Sequence, residues 1–208
     1  MIKKYYILIG ILTSLILLLI ASFYYPGGSQ FDKNSIGFDW KNNCLCNLFG
    51  EKVVNGGDNT SRPLAISGMF FICASFALFF IEFSMKISSK FAAGIIKYFG
   101  AVAMIFAFLA VTQYHDTMIT IASILALVSM FYIAVFVFKS KLYLLKILCI
   151  VCLLVCYYCN YIYYTRNHLE FLPIMQKVAL VITILWILSL QYFTSINDFK
   201  SRKTVNNS

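Results

Sequence analysis

Six apolar stretches divide this 208-residue chain, and each is long enough to cross a lipid bilayer as a helix. The hydrocarbon core is about 30 Å thick, and a helix rising about 1.5 Å per residue crosses it in about 20 residues. Segments 5–23, 64–83, 91–112, 117–138, 145–163 and 172–192 meet that length. An unpaired backbone amide finds no water in lipid, so these segments must be helices rather than open strands. Composition agrees: 61% of residues are hydrophobic and only 12% charged, where a soluble domain carries about 25% charged residues. The predicted fold is an all-α membrane protein, a bundle of six transmembrane helices forming one integral membrane domain over residues 1–208. A long extracytoplasmic loop, 24–63, joins helices 1 and 2, and residues 193–208 form a cytoplasmic tail.

Sidedness follows from lysine and arginine, which concentrate in short cytoplasmic loops. Lys3 and Lys4 precede the first span, Lys86 and Lys90 separate spans two and three, Lys139 and Lys141 separate spans four and five, and Lys200, Arg202 and Lys203 follow the last. The alternate connections are poorer in cations: Gln113-Tyr114-His115-Asp116 between spans three and four, and Arg166 accompanied by Glu170 between five and six. Both termini are therefore expected in the cytoplasm of a plasma (inner) membrane. Lys3-Lys4 ahead of an apolar run is also how a signal peptide begins. Here the run ends in Phe23-Tyr24-Tyr25-Pro26 without a small-x-small cleavage site, so an uncleaved anchor is expected.

The net charge of +9 does not point to nucleic acid, because the cations are spread over helix rims and form no continuous patch. Glu82 and Lys86, four residues apart, are expected to pair on one helix face. No ionisable side chain falls at mid-depth, where proton-coupled pumps and voltage sensors need one. The mid-span polar residues are Thr13, Ser14, Ser75, Ser123, Ser129 and Thr183, all able to bond their own helix or a neighbour. Lys97 and Lys177 lie within a couple of turns of a helix end, from which a long stem can carry the ammonium to the interface.

Cys149, Cys152, Cys156 and Cys159 fall on one stripe of span five, which Asn160 extends. Four sulfurs strung along one helix cannot surround a zinc ion, so the stripe reads as a small-residue packing face. Cys44 and Cys46 lie in the outer loop, where a disulfide is open to them in an oxidising compartment, with each other or with Cys159.

The outer loop carries the chain's most specific chemistry. Aromatics, amides and charges are mixed in Phe38-Asp39-Trp40-Lys41-Asn42-Asn43, followed by Asn59 and Arg62. A loop of such length between compact spans is either a binding element or disordered, and its apolar content argues for short helical turns over the bundle mouth. His115-Asp116 sits in the neighbouring outer turn, and His168, the second of two histidines, in the remaining one. Imidazole beside carboxylate can orient a general base, while Asp116 can equally cap the fourth span. The ligand-binding candidates are Asp39, Trp40, Asn43, Asn59, Arg62, His115 and Asp116. No metal or other cofactor is expected; His115, Asp116 and His168 are the ligands available should a metal bind.

The Pro26-Gly27-Gly28-Ser29 opening, Ser35-Ile36-Gly37, and the run from Asn55-Gly56 to Asn59 and Arg62-Pro63, within a six-span chain, resemble bacterial membrane proteins of the broad Frag/DRAM/Sfk-like group. That resemblance implies a six-helix membrane fold and carries over no catalytic residue. Ser35 to Asp39-Trp40 is similar to a Ser/Thr-x-x-Asp-Trp stretch in membrane hydrolases of the alkaline ceramidase type. Those enzymes hold zinc with several histidines, whereas this chain has two.

Three functions remain open on the sequence. A non-enzymatic protein would bind a lipid or a membrane-protein partner, with Tyr25, Phe38 and Trp40 on apolar groups and Asp39, Asn43 and Arg62 on polar ones. A lipid-headgroup hydrolase would activate water with His115, Asp116, His168 and Asp39. A facilitative channel or transporter would need no buried charge.

Overall fold

The computed structural model describes residues 5–199, so the cations Lys3, Lys4, Lys200, Arg202 and Lys203 lie outside the described residues. Six helices follow in order: α1 Tyr6–Phe23, α2 Arg62–Ser84, α3 Lys90–Leu109, α4 His115–Lys139, α5 Tyr143–Thr165 and α6 Leu172–Phe193. All six are long and apolar enough to cross a membrane. Among the described residues there is no strand, only two isolated bridges, Gly27 with Ile36 and Lys52 with Asp58.

Helix ends differ from the hydropathy reading where local bonding decides them. The second helix starts at Arg62, because Pro63 fits its first turn, where a missing N–H costs nothing. The third starts after Ser89, whose hydroxyl accepts from the Ala92 amide. It stops at Leu109, because the Val111 and Thr112 amides tighten onto the carbonyls three residues back. His115 and Asp116 belong to the first turn of α4, whose capping residue is Tyr114, so Asp116 is not the cap.

Each of α1–α4 packs on the next, α5 packs on α6, and the α4–α5 seam is the thinnest of these. Small residues set the close approaches. A Cβ on Gly10 would stand 2.2 Å from Ser75 Oγ, and one on Gly100 would stand 2.2 Å from Phe80 Cγ. The Ser14 hydroxyl donates to the Gly68 carbonyl at 2.7 Å across the α1–α2 seam. Lipid tails are as apolar as leucine, so such close packing and interhelical bonds hold the bundle together.

The cysteine stripe of α5 faces α6. Trp186 Nε1 donates to Cys149 Sγ at 2.9 Å, and Thr183 Oγ1 lies 3.8 Å from Cys152 Sγ and 3.6 Å from Cys156 Sγ. Glu82 and Lys86 do not pair. Lys86 instead donates to the carbonyls of Leu190, Gln191 and Thr194 at 3.0–3.1 Å, neutralising the negative end of α6, and Glu82 accepts from the Gln191 amide.

Candidate functional site

Segment 24–61 folds over the end of the bundle where α1 finishes and α2 begins. Asparagine side chains organise it. Asn43 Nδ2 donates to the Gly28 carbonyl at 2.9 Å while its Oδ1 accepts from the Asp39 amide at 2.8 Å. Gly28 has φ +83°, and a Cβ there would stand 2.5 Å from the Asn55 nitrogen, so only glycine fits. Asn59 Nδ2 serves the carbonyls of Asn47, Leu48 and Gly50, and its Oδ1 accepts from the Ser61 amide and hydroxyl. Apolar side chains then seat the segment, with Tyr25, Leu48, Phe49 and Val53 buried against Leu18 and Ala65.

A second fastening comes from α6. Lys177 Nζ donates to the Asn43 carbonyl at 2.7 Å and lies 5.7 Å from the Phe38 ring centroid. Its ammonium therefore ties the segment to the helix rather than reaching out to the interface. Gln176 Oε1 accepts from the Leu45 amide at 3.3 Å, at the start of the 3-10 turn Leu45–Leu48. That leaves the Gln176 NH2 without a partner among the described residues.

Beneath this roof lies a cavity of about 300 Å³. Leu18, Met69, Ile72, Ile119, Leu172 and Leu180 give it apolar walls. Its polar lining includes Cys46, His115, Gln176 and Asn160. Towards the α3–α4 turn it shares Cys46, Phe49, Ala110, Val111 and His115 with a second hollow. On the opposite flank it shares Ser123, Asn160 and Tyr164 with a groove along the α4–α5 seam. The Ser123 and Tyr164 hydroxyls, 3.2 Å apart, bridge that seam.

Cys46 and His115 both line the polar end of the cavity and the hollow beside it. His115 Nδ1 lies 3.1 Å from Asp116 Oδ1, which also accepts from the Tyr163 hydroxyl at 2.5 Å. With Nδ1 engaged by the carboxylate, Nε2 is the ring nitrogen left free. The Cys44 thiol beside Cys46 holds the Cys46 thiol pKa well below the usual range; burial opposes this and His115 adds to it. Cys44 is pushed up correspondingly. Cys159 packs in the same cluster, and all seven cysteines are free thiols. A thiolate beside an oriented imidazole, at the head of an apolar cavity, can act as a nucleophile.

The residues singled out from the sequence do not gather in one place. His115 lines the cavity and Asp116 supports it from behind. Asn43 and Asn59 are buried in the segment's own hydrogen bonds. Asp39 accepts from the amides of Lys41 and Asn42, closing a turn. Arg62 donates to the Phe49 carbonyl at 3.0 Å and lies 3.3 Å from the exposed Glu51. Trp40 is about half exposed, edge-on to Phe38. His168 stands apart with Glu170, 3.5 Å away and exposed. No group of three His, Cys, Asp or Glu among the described residues could hold a metal ion.

Sequence reasoning missed Cys46 and Gln176 as cavity residues. The available signal was two thiols outside the spans together with a His-Asp pair in the next connection on the same side. No family model, curated protein or solved structure matches the chain.

Proposed function

We propose that this integral membrane protein binds a lipid by its acyl chain in the cavity under segment 24–61, with the polar end of the lipid at Cys46 and His115. The carrying observation is the pair of shared walls. An apolar cavity that shares the Ser123, Asn160 and Tyr164 wall with a groove on the α4–α5 seam suits a ligand arriving from the bilayer. The shared hollow at Cys46 and His115 gives the same ligand a polar outlet. A volume of about 300 Å³ is at the small end for ligand sites and suits a chain rather than a bulky headgroup. A metal-free water-activating site of His115, Asp116, His168 and Asp39 has less support, since His168 pairs with Glu170 and Asp39 closes its own turn.

The binding test uses full-length protein in lipid nanodiscs and dansyl-undecanoic acid as probe. The wild type should bind it saturably, and Ser123→Phe, which fills the wall shared by cavity and groove, should weaken binding about tenfold, or about 1.4 kcal/mol. Equal titrations for the two proteins overturn the reading.

On this reading the protein sits in the plasma membrane with both termini cytoplasmic and segment 24–61 outside. Support comes from Lys86, Lys90, Lys139 and Lys141, which all lie at the bundle end away from that segment. In intact cells an impermeant maleimide, located by peptide mapping, should modify the introduced thiol of Lys33→Cys, and that of Lys141→Cys only after lysis. The reverse pattern would invert the topology.

A further inference from the structure

We propose that Cys46 is the nucleophile of an acyl-transfer site, taking the acyl group of an ester-linked lipid held in the cavity and passing it to water. This rests on the acyl-chain reading above and adds chemistry to it. Three arrangements carry the inference together. Cys46 and His115 line the same cavity and the same hollow beside it. Asp116, itself fixed by the Tyr163 hydroxyl, occupies His115 Nδ1 and so fixes the tautomer of the ring. Gln176, held by the Leu45 amide, lines the cavity with its NH2 unspent. A nucleophile, a base, an orienter of that base and a neutral donor for developing negative charge are the parts that acyl transfer needs.

The chemistry balances without a cofactor. The Cys46 thiolate forms a C–S bond to the acyl carbonyl carbon, and the carbonyl π pair moves to oxygen, where the Gln176 NH2 can donate to it. Collapse of that adduct breaks the ester C–O bond, and the leaving alkoxide takes a proton from the His115 imidazolium. The thioester stays on Cys46. Neutral His115 then removes a proton from water as its oxygen attacks the thioester carbon; the C–S bond breaks, and a carboxylic acid and the thiolate–imidazolium pair are released. Asp116 and Tyr163 are positioning residues, acting only through the ring.

Cys44 and Cys159 beside Cys46 also admit a dithiol–disulfide exchange. The acyl reading is preferred because an oriented imidazole and a free amide donor serve acyl transfer and have no part in closing a disulfide.

The test treats full-length protein in nanodiscs with p-nitrophenyl acetate and p-nitrophenyl decanoate, following p-nitrophenolate release, intact mass and peptide mapping. The expected result is a hydroxylamine-sensitive acyl adduct on Cys46, formed faster from decanoate. The adduct should be absent in Cys46→Ala, about a hundredfold slower to form in His115→Ala, and unchanged in Asn55→Ala, an exposed side chain that does not line the cavity. Asp116→Asn should lower the saturated rate about tenfold and leave the half-saturating ester concentration unchanged. Saturable binding of dansyl-undecanoic acid by Cys46→Ala shows that this variant is folded. If the wild type binds that acid yet forms no adduct, the nucleophile is overturned and the lipid site stands. If acetate acylates Cys46 but the acid does not bind, the lipid site falls and the nucleophile stands. A disulfide among Cys44, Cys46 and Cys159 formed in place of the adduct overturns acyl transfer in favour of redox chemistry.

Discussion

Replacing Asn59 with alanine should release segment 24–61 from the bundle end and abolish the cavity's roof. Its amide serves three carbonyls, of Asn47, Leu48 and Gly50, and its oxygen receives the Ser61 amide and hydroxyl. The side chain is almost wholly buried, so water cannot replace those partners without opening the segment. Each buried group left unpaired costs about 1–3 kcal/mol, and a network stripped of its centre loses several such bonds at once. About 3 kcal/mol is a hundredfold or more in the population of the opened segment, which protease cleavage between residues 24 and 61 reads directly when opening is fast. Asn55→Ala is the control, because Asn55 is exposed and accepts only from the Gly57 amide. Cleavage of Asn59→Ala at the wild-type rate would show that the apolar contacts of Tyr25 and Leu48 hold the roof unaided.

Asn59 also shows where reading the sequence stops. Hydropathy is a local property, and the bilayer imposes one length on every span, so six helices are visible in the chain with ends misplaced by only a few residues. The misplacements at Arg62, Leu109 and His115 come from turn bonding, which hydropathy does not record. Polar residues in a loop invite a ligand reading, but Asn43 and Asn59 face carbonyls 15 and 9 to 12 residues away, a pairing that exists only once the segment is folded. His115-Asp116 was legible because its two members are adjacent. Cys46, His115 and Gln176 come from three distant parts of the chain, and nothing short of the packed helix ends brings them to one cavity. Lys177 fails in the same way: its long stem permits an outward reach, but the Asn43 carbonyl within the folded segment captures it.

That convergence makes the alkylation of Cys46 the sharpest test of the site's electrostatics. The groups around its sulfur are Cys44, His115 with Asp116 behind it, Cys159, Tyr163 and Lys177. The Cys44 thiol first, and His115 after it, favour ionised Cys46 over the cost of burial. The direction of the shift sets the sign. A depressed thiol pKa means that the reactive thiolate persists as pH falls through the ordinary thiol range and is lost only below it. With iodoacetamide, an ordinary thiol titrating near 8.5 gains about a hundredfold in rate between pH 6 and pH 8, whereas Cys46 should gain less than about tenfold. Lower basicity also weakens a thiolate as a nucleophile, so the flat profile, rather than the absolute rate, is the discriminating quantity. Cys44→Ser and His115→Ala should each move the rise back towards the ordinary range, which mapping of the modified peptide over a pH series would measure. A Cys46 profile as steep as that of a free thiol, or one indifferent to His115, would mean that the imidazole does not stabilise the thiolate.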